Sequence, residues 1–207
     1  MILFPGFLKS NLSRFLFVLV CVGLYSNLSF AQSGGGGKFS AGAMILFGQG
    51  SMGNGSDVPD RAMLHTPVIL FGGFNIKKFR LGLNYEYNMV GQTADPASIP
   101  GMQNLSGKGT ALGARLEYYD GKQAAGLIYR LSDTYNLDKP TASGASVSYS
   151  GGGGISLQYY RQIKKNFGFV LDYTTETFKT SVPAPSPAIK WTRMSIGVVF
   201  TNFSSSK

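Results

Sequence analysis

Residues 79–90 read Phe79-Arg80-Leu81-Gly82-Leu83-Asn84-Tyr85-Glu86-Tyr87-Asn88-Met89-Val90. Odd positions are large and apolar; even positions, up to Val90, are polar, charged or Gly. A period of two sends successive side chains to opposite faces of a β-strand, one greasy and one wet. The run covers about a dozen residues, whereas a strand in a soluble sheet is usually about five or six. A strand that crosses a bilayer at a tilt needs about 9–11. Length and pattern together predict a membrane-spanning strand of a closed barrel.

Short Lys-rich turns recur at Lys77-Lys78, Asp120-Gly121-Lys122 and Lys164-Lys165-Asn166, about 43 residues apart. That spacing reads as a repeated hairpin, strand and tight turn and strand, followed by a longer loop. Four such units predict strands at 38–48, 66–77, 79–90, 109–119, 123–132, 145–162, 167–178 and 190–203. The longer loops fall at 49–65, 91–108, 133–144 and 179–189, with turn-forming clusters such as Val182-Pro183-Ala184-Pro185-Ser186-Pro187. The predicted fold is all-β, an eight-stranded antiparallel up-and-down transmembrane β-barrel. An even strand count puts both chain ends on the short-turn side, which is the periplasmic side in outer-membrane barrels. Gly72-Gly73 and Gly151 to Gly154 fit either register of their strands.

The predicted lipid face is Phe39, Ala41, Ala43, Ile45, Phe47; Leu81, Leu83, Tyr85; Leu112, Ala114, Leu116; Leu127, Tyr129, Leu131; Phe169, Leu171, Tyr173; and Met194, Ile196, Val198, Phe200. No charge falls in these sets, where Arg or Lys near the midplane costs about 2–4 kcal/mol. Aromatics gather at strand ends as interfacial girdles, Phe79, Tyr118, Tyr159 and Phe167 below and Phe47, Tyr87, Tyr149 and Trp191 above. A soluble lipocalin-like barrel would also alternate, with its apolar face inward. Glycines on the other face argue against it: Gly42, Gly73, Gly82, Gly113, Gly126, Gly152, Gly154, Gly168 and Gly197. Glycine has little reason to sit on a face open to water, whereas a narrow interior must interleave small residues with long ones.

That interior face also carries Arg80, Glu86, Arg115, Glu117, Arg130, Asp172, Glu176 and Arg193, four positive and four negative groups. Charges confined together are costly unless paired and hydrogen-bonded. Their near-balance predicts an ion-pair network that plugs the lumen, or a pore that opens only by re-pairing.

The N-terminus reads as a secretory signal peptide, residues 1–31. Lys9 and Arg14 precede an apolar core from Phe15 to Tyr25, too short to span, and Ser29-Phe30-Ala31 offers a cleavage site after Ala31. Residues 32–37 then form a flexible Gly-rich periplasmic tail, 38–203 the barrel and 204–207 a C-terminal tail. Cys21 lies in the signal core, and Val20 stands where lipidation wants a small residue. The mature chain thus has no cysteine, which argues against a disulfide-stapled scaffold.

The chain carries 19 Lys+Arg against 10 Asp+Glu, a net +9. Without Lys9 and Arg14 the balance is 17 against 10, or +7. These basic residues are scattered along strands and turns rather than clustered on a helix, so nucleic acid is not an expected partner. Mean hydropathy is only +0.04, as expected when half of each strand faces a polar lumen.

With this pattern the mature chain resembles the small eight-stranded outer-membrane barrels of Gram-negative bacteria, the OmpA/OmpX/OmpW-like group. The resemblance implies integral residence in the bacterial outer membrane as a monomer, insertion by the outer-membrane machinery, and contact with outer-membrane lipid and lipopolysaccharide. It also implies an extracellular ligand at the loops. Members usually end on an aromatic read by the insertion machinery. Met194-Ser195-Ile196-Gly197-Val198-Val199-Phe200 supplies that alternation, yet Thr201 to Lys207 follow, and Phe203 is the other candidate.

Other motifs carry less. Gly48-Gln49-Gly50-Ser51-Met52-Gly53 matches a dinucleotide fingerprint literally, but no helix follows to hold a pyrophosphate. His65, the only histidine, is placed at the outer end of the second strand, with Asp57, Asp60, Ser51 and Ser56 in the adjoining loop. An outer-leaflet lipid A enzyme can be assembled from them on paper; a lone loop histidine is more often simply solvated. No catalytic residue, cofactor or metal site is assigned. A structural or surface-interaction role ranks first, then a narrow channel for ions or small hydrophobic solutes, then a lipid A enzyme.

Overall fold

The computed structural model describes residues 39–53, 61–92, 105–120, 122–138, 147–164, 166–180 and 188–201. These form eight strands: β1 (Phe39–Gly53), β2 (Arg61–Ile76), β3 (Phe79–Gln92), β4 (Leu105–Asp120), β5 (Gln123–Asp138), β6 (Val147–Lys164), β7 (Phe167–Thr180) and β8 (Ile189–Thr201). Each pairs antiparallel with its chain neighbour, and β1 pairs with β8 to close the barrel. Closure leaves no strand edge with unpaired backbone groups, which a bilayer would not tolerate. Ala31, the 32–37 tail, Phe203 and the 204–207 tail lie outside the described residues, as do 54–60, 93–104, 139–146 and 181–187.

The alternation of the sequence is the alternation of the wall. Leu81 and Leu83 of β3 lie outward beside Leu116 and Ala114 of β4, while Arg80 faces inward beside Glu117. The apolar face is the outer one. Phe39, Phe47, Leu83, Leu157, Leu171 and Ile196 are exposed there, with Leu83 58% accessible. A soluble barrel turns that face inward. Ala43 and Ile45 keep outward parity but are buried, flanked in register by Leu70 and Phe200 and by Val68 and Val198. On β2, Gly72 faces out and Gly73 in. Gly73 lies opposite Gly82. A Cβ at Gly73 would stand 2.8 Å from the Gly82 Cα, so the two bare positions let β2 and β3 pair at this height.

The strands run further than the apolar pattern predicts, mostly toward the long loops. Segments 49–53, 61–65, 91–92, 105–108, 133–138 and 179–180 are strand, not loop. Toward that end the outward face turns polar on several strands, with Gln49 and Ser51 on β1, Thr134 and Asn136 on β5, Thr175, Thr177 and Lys179 on β7, and Lys190 and Thr192 on β8, while Leu64 on β2 stays apolar and exposed. Backbone pairing continues above the bilayer after the hydrophobic signal has stopped. The dinucleotide-like Gly48–Gly53 run is therefore part of β1, paired to β2 and β8.

Of three register shifts among the described residues, one lies at the end of β6 between Gln162 and Lys164, and the other two change the phase of their strands within the wall. On β5, Leu112 pairs with Ser132 but Gly113 with Arg130, leaving Leu131 extra. Leu131 and Ser132 both face out, and Asp133 and Tyr135 turn into the lumen. On β6 the register against β7 shifts between Gly151 and Gly153. Tyr149 and Trp191, expected in the upper girdle, instead point inward and are buried. Tyr149 lies beyond the β6 bulge, and Trp191 shares the parity of the inward Arg193.

Leu83→Arg, in the middle of the outer band, should lower stability in lipid vesicles by about 2–4 kcal/mol, and Ser51→Arg, above it, by about 0–1 kcal/mol. Urea-induced unfolding followed by tryptophan fluorescence measures both.

Candidate functional site: the charged lumen

Eight strands leave an interior that side chains just fill. Arg80, Glu86, Arg115, Glu117, Arg130, Asp172, Glu176 and Arg193 all project into it and are buried. The structure gathers them into two groups at different heights.

Near the short turns, Glu117 is the hub. Its Oε2 accepts from Arg80 Nη1 at 3.0 Å and its Oε1 from Arg115 Nη2 at 2.5 Å. Tyr119 and Tyr160 hydroxyls donate to the same carboxylate at 3.0 and 2.5 Å. Arg80 also donates to Asn75 and Arg115 to Asn84. The guanidiniums lie over rings, Arg80 Cζ 4.5 Å from the Tyr119 centroid and Arg115 Cζ 4.3 Å from that of Phe71. Such stacking suits a planar, weakly hydrated cation in a confined space. An apolar cluster of Met44, Leu46, Ile69, Phe71, Val170 and Val199 fills the lumen beside this group.

At mid-height, Glu86 of β3, Arg130 of β5, Glu176 of β7 and Arg193 of β8 close a ring across the lumen. Arg130 Nη2 reaches Glu86 Oε2 at 2.5 Å, and Arg130 Nε reaches Glu176 Oε1 at 2.7 Å. Arg193 Nη2 bridges Glu86 Oε1 at 2.8 Å and Glu176 Oε1 at 2.7 Å. Each guanidinium thus holds both carboxylates. Asp172 stands apart from the ring, accepting from Gln158 and Thr174 at 2.8 and 2.9 Å.

Above the ring the lumen is capped by apolar and aromatic side chains: Met52, Met63, Val90, Tyr135, Tyr149, Phe178, Ile189 and Trp191. Trp191 is fully buried, edge-on to Tyr135 at 4.9 Å, and Arg193 lies 4.4 Å over its ring. Arg193 Nη1 donates to the Tyr135 hydroxyl at 3.1 Å, which ties the cap to the ring.

The structure corrects the reading of His65. It is no solvated loop residue but a buried side chain of β2, with Nε2 3.3 Å from Ser195 Oγ and its ring against Trp191 at 5.6 Å. Ser51 is exposed on β1, while Ser56, Asp57 and Asp60 lie outside the described residues. The sequence reading missed Asp133, Tyr135 and the Ser195 contact. Asp133 and Tyr135 were assigned to a loop, and the β5 bulge hides their parity. The inward parity of Ser195, two residues after Arg193, was available. Among the described residues no group of His, Asp and Glu is arranged to hold a metal ion.

Replacing Glu86 with Gln leaves two buried guanidiniums short of an anion and should cost about 3–5 kcal/mol. Replacing Asp120, whose exposed carboxylate lies 3.5 Å from Lys78 on the rim, should leave the unfolding curve unchanged. Urea titration of both variants in the same lipid tests the contrast.

No protein-family model and no curated protein matches the chain. Solved structures do. Ail, the attachment invasion locus protein of Yersinia pestis, in complex with the heparin analogue sucrose octasulfate, superposes with a TM-score of 0.54 at 10% identity. That match covers 79% of this chain and 98% of Ail. Neisserial surface protein A superposes with a TM-score of 0.54 at 14% identity, covering 81% of this chain and 99% of its own. At such identities the likeness is one of fold. With its apolar outer face and closed ring of eight strands, the chain has the fold of the small eight-stranded outer-membrane β-barrels, similar to these two proteins.

Proposed function

We propose that the protein is a closed scaffold of the bacterial outer membrane that presents the connections between β1 and β2, β3 and β4, β5 and β6, and β7 and β8 to an extracellular ligand. One observation carries this reading: the Glu86–Arg130–Glu176–Arg193 ring lies across the lumen directly beneath the Trp191 cap. An ion crossing would have to part desolvated ion pairs and displace packed aromatics, both costly. With its interior occupied, the barrel has its outer end as its free functional surface, and loops on a rigid scaffold are where recognition concentrates. The Ail complex with a sulfated sugar analogue shows that this fold hosts such recognition in that protein; fold alone does not transfer a ligand. Lipopolysaccharide around the wall, the insertion machinery acting on the Phe200 end and a monomeric state belong to the same proposal.

Enzymatic lipid A modification is disfavoured by the surroundings of His65. Among the described residues no group accepts from or donates to its Nδ1, so none of them orients it as a catalytic base, and Trp191 packs edge-on against its ring.

The mature chain, shown folded by its shifted gel mobility before boiling, should give no discrete conductance steps in a planar bilayer. Reproducible openings would reassign it as a narrow channel. His65→Ala should leave the lipid A acylation pattern unchanged by mass spectrometry; a lost modification would make it an enzyme.

A further inference from the structure

Two ladders of the wall are interrupted. Between β1 and β2 pairing passes from Ile45–Val68 to Gly48–His65, around Pro67, which has no N–H to give. Between β5 and β6 it passes from Arg130–Gly154 to Thr134–Ser150, and no proline is present. Register is the same on both sides of this second break, so the interruption is local. It coincides with the bulge at Leu131 on β5 and the bulge between Gly151 and Gly153 on β6. Gly153 has a φ of 106°, a conformation that favours glycine. Three consecutive glycines put no side chain into the gap.

Asp133 fills the inner side of this seam. Its carboxylate occupies the space that a side chain at Gly151 would take. Asp133 is 3% exposed, and neither carboxylate oxygen has a hydrogen-bond partner. Glu176 Oε2 is likewise unpartnered, and its charge interacts with that of Asp133. The nearby arginines Arg130 and Arg193 are already engaged with Glu86 and Glu176. A buried carboxylate left without a donor is unfavourable until one reaches it. The seam lies where the outward face passes from Tyr129, Leu131 and Ile155 to Ser132, Thr134 and Ser150, the level of lipid headgroups at the outer end of the apolar band.

We infer that the β5–β6 seam is a binding site for an alkylammonium group, with the ammonium on Asp133 and the alkyl chain along the outward Leu131 and Ile155. An ammonium carries three donors, and both oxygens of Asp133 stand without a partner to receive them. A lipid headgroup amine and a free alkylamine share this chemistry. The site is in the wall, so it holds whether or not the lumen conducts.

The test uses the folded mature chain in phosphatidylcholine vesicles, whose headgroup is not a primary amine, titrated with hexylammonium chloride. Binding is read by calorimetry and by fluorescence of Trp191, the single tryptophan. Trp191 reports on the seam because it packs on Tyr135, two residues from Asp133. Saturable binding is expected, weakened about tenfold or more in Asp133→Asn, which removes a charge-assisted hydrogen bond while keeping the shape. Gly151→Ala, which intrudes on the carboxylate without removing it, should weaken binding as well. Competition by added phosphatidylethanolamine assigns the amine to a lipid headgroup, and no competition assigns it to a free amine. Equal binding by Asp133→Asn, no saturable binding, or the same response to sodium chloride at equal ionic strength overturns the site. The last two are expected if Arg130 simply swings its unpartnered Nη1 onto Asp133.

Discussion

The ion-pair ring of Glu86, Arg130, Glu176 and Arg193 is the constraint on which the rest of the molecule depends. A barrel of eight strands is too narrow to hold bulk water, so whatever faces inward must satisfy itself. The ring does so by having each guanidinium grip both carboxylates, which joins β3, β5, β7 and β8 across the lumen. Backbone ladders connect only adjacent strands; these side chains connect distant ones. Charge-assisted pairs of this kind are strong only with good geometry and full partnering. The same low dielectric that strengthens them penalises any member left alone.

Packing around the ring follows from that demand. Below it, Glu117 gathers two arginines and two tyrosines, and the guanidinium faces not used for hydrogen bonds lie on Phe71 and Tyr119. Above it, Trp191 and Tyr135 close the outer end and exclude water from the pairs. The molecule thus inverts the soluble arrangement. Its ion-pair network is inside and most of its leucines are outside, because the bilayer receives much of the apolar surface.

The β5–β6 seam departs from this economy of pairing. Asp133 sits there buried and unpartnered beside a break in the wall. Bulges recur where a sheet re-aims a side chain near a functional site, and a local conflict between levels of structure is where function concentrates. The seam therefore says more than the ring about what the barrel meets at the membrane surface.

Much of this was legible in the chain. The alternation from Phe79 to Val90 shows one greasy and one wet face, the Lys-rich turns at about 43-residue spacing set four hairpins, and the inward positions of all eight named charges follow from parity alone. Sequence by itself determined these because a period of two is a local property of extended backbone. Other features needed the closed sheet. That β5 runs on to Asp138, that Leu131 is a bulge and that Asp133, Tyr135 and Tyr149 turn inward depend on pairing with neighbours, which no single strand encodes. Which carboxylate each arginine takes, and the burial of His65 against Trp191 and Ser195, are contacts between strands that in most cases lie far apart in the chain, 37 residues for Arg80 and Glu117 and 130 for His65 and Ser195. Parity says which face a side chain is on; only closure of the ring decides what it meets there.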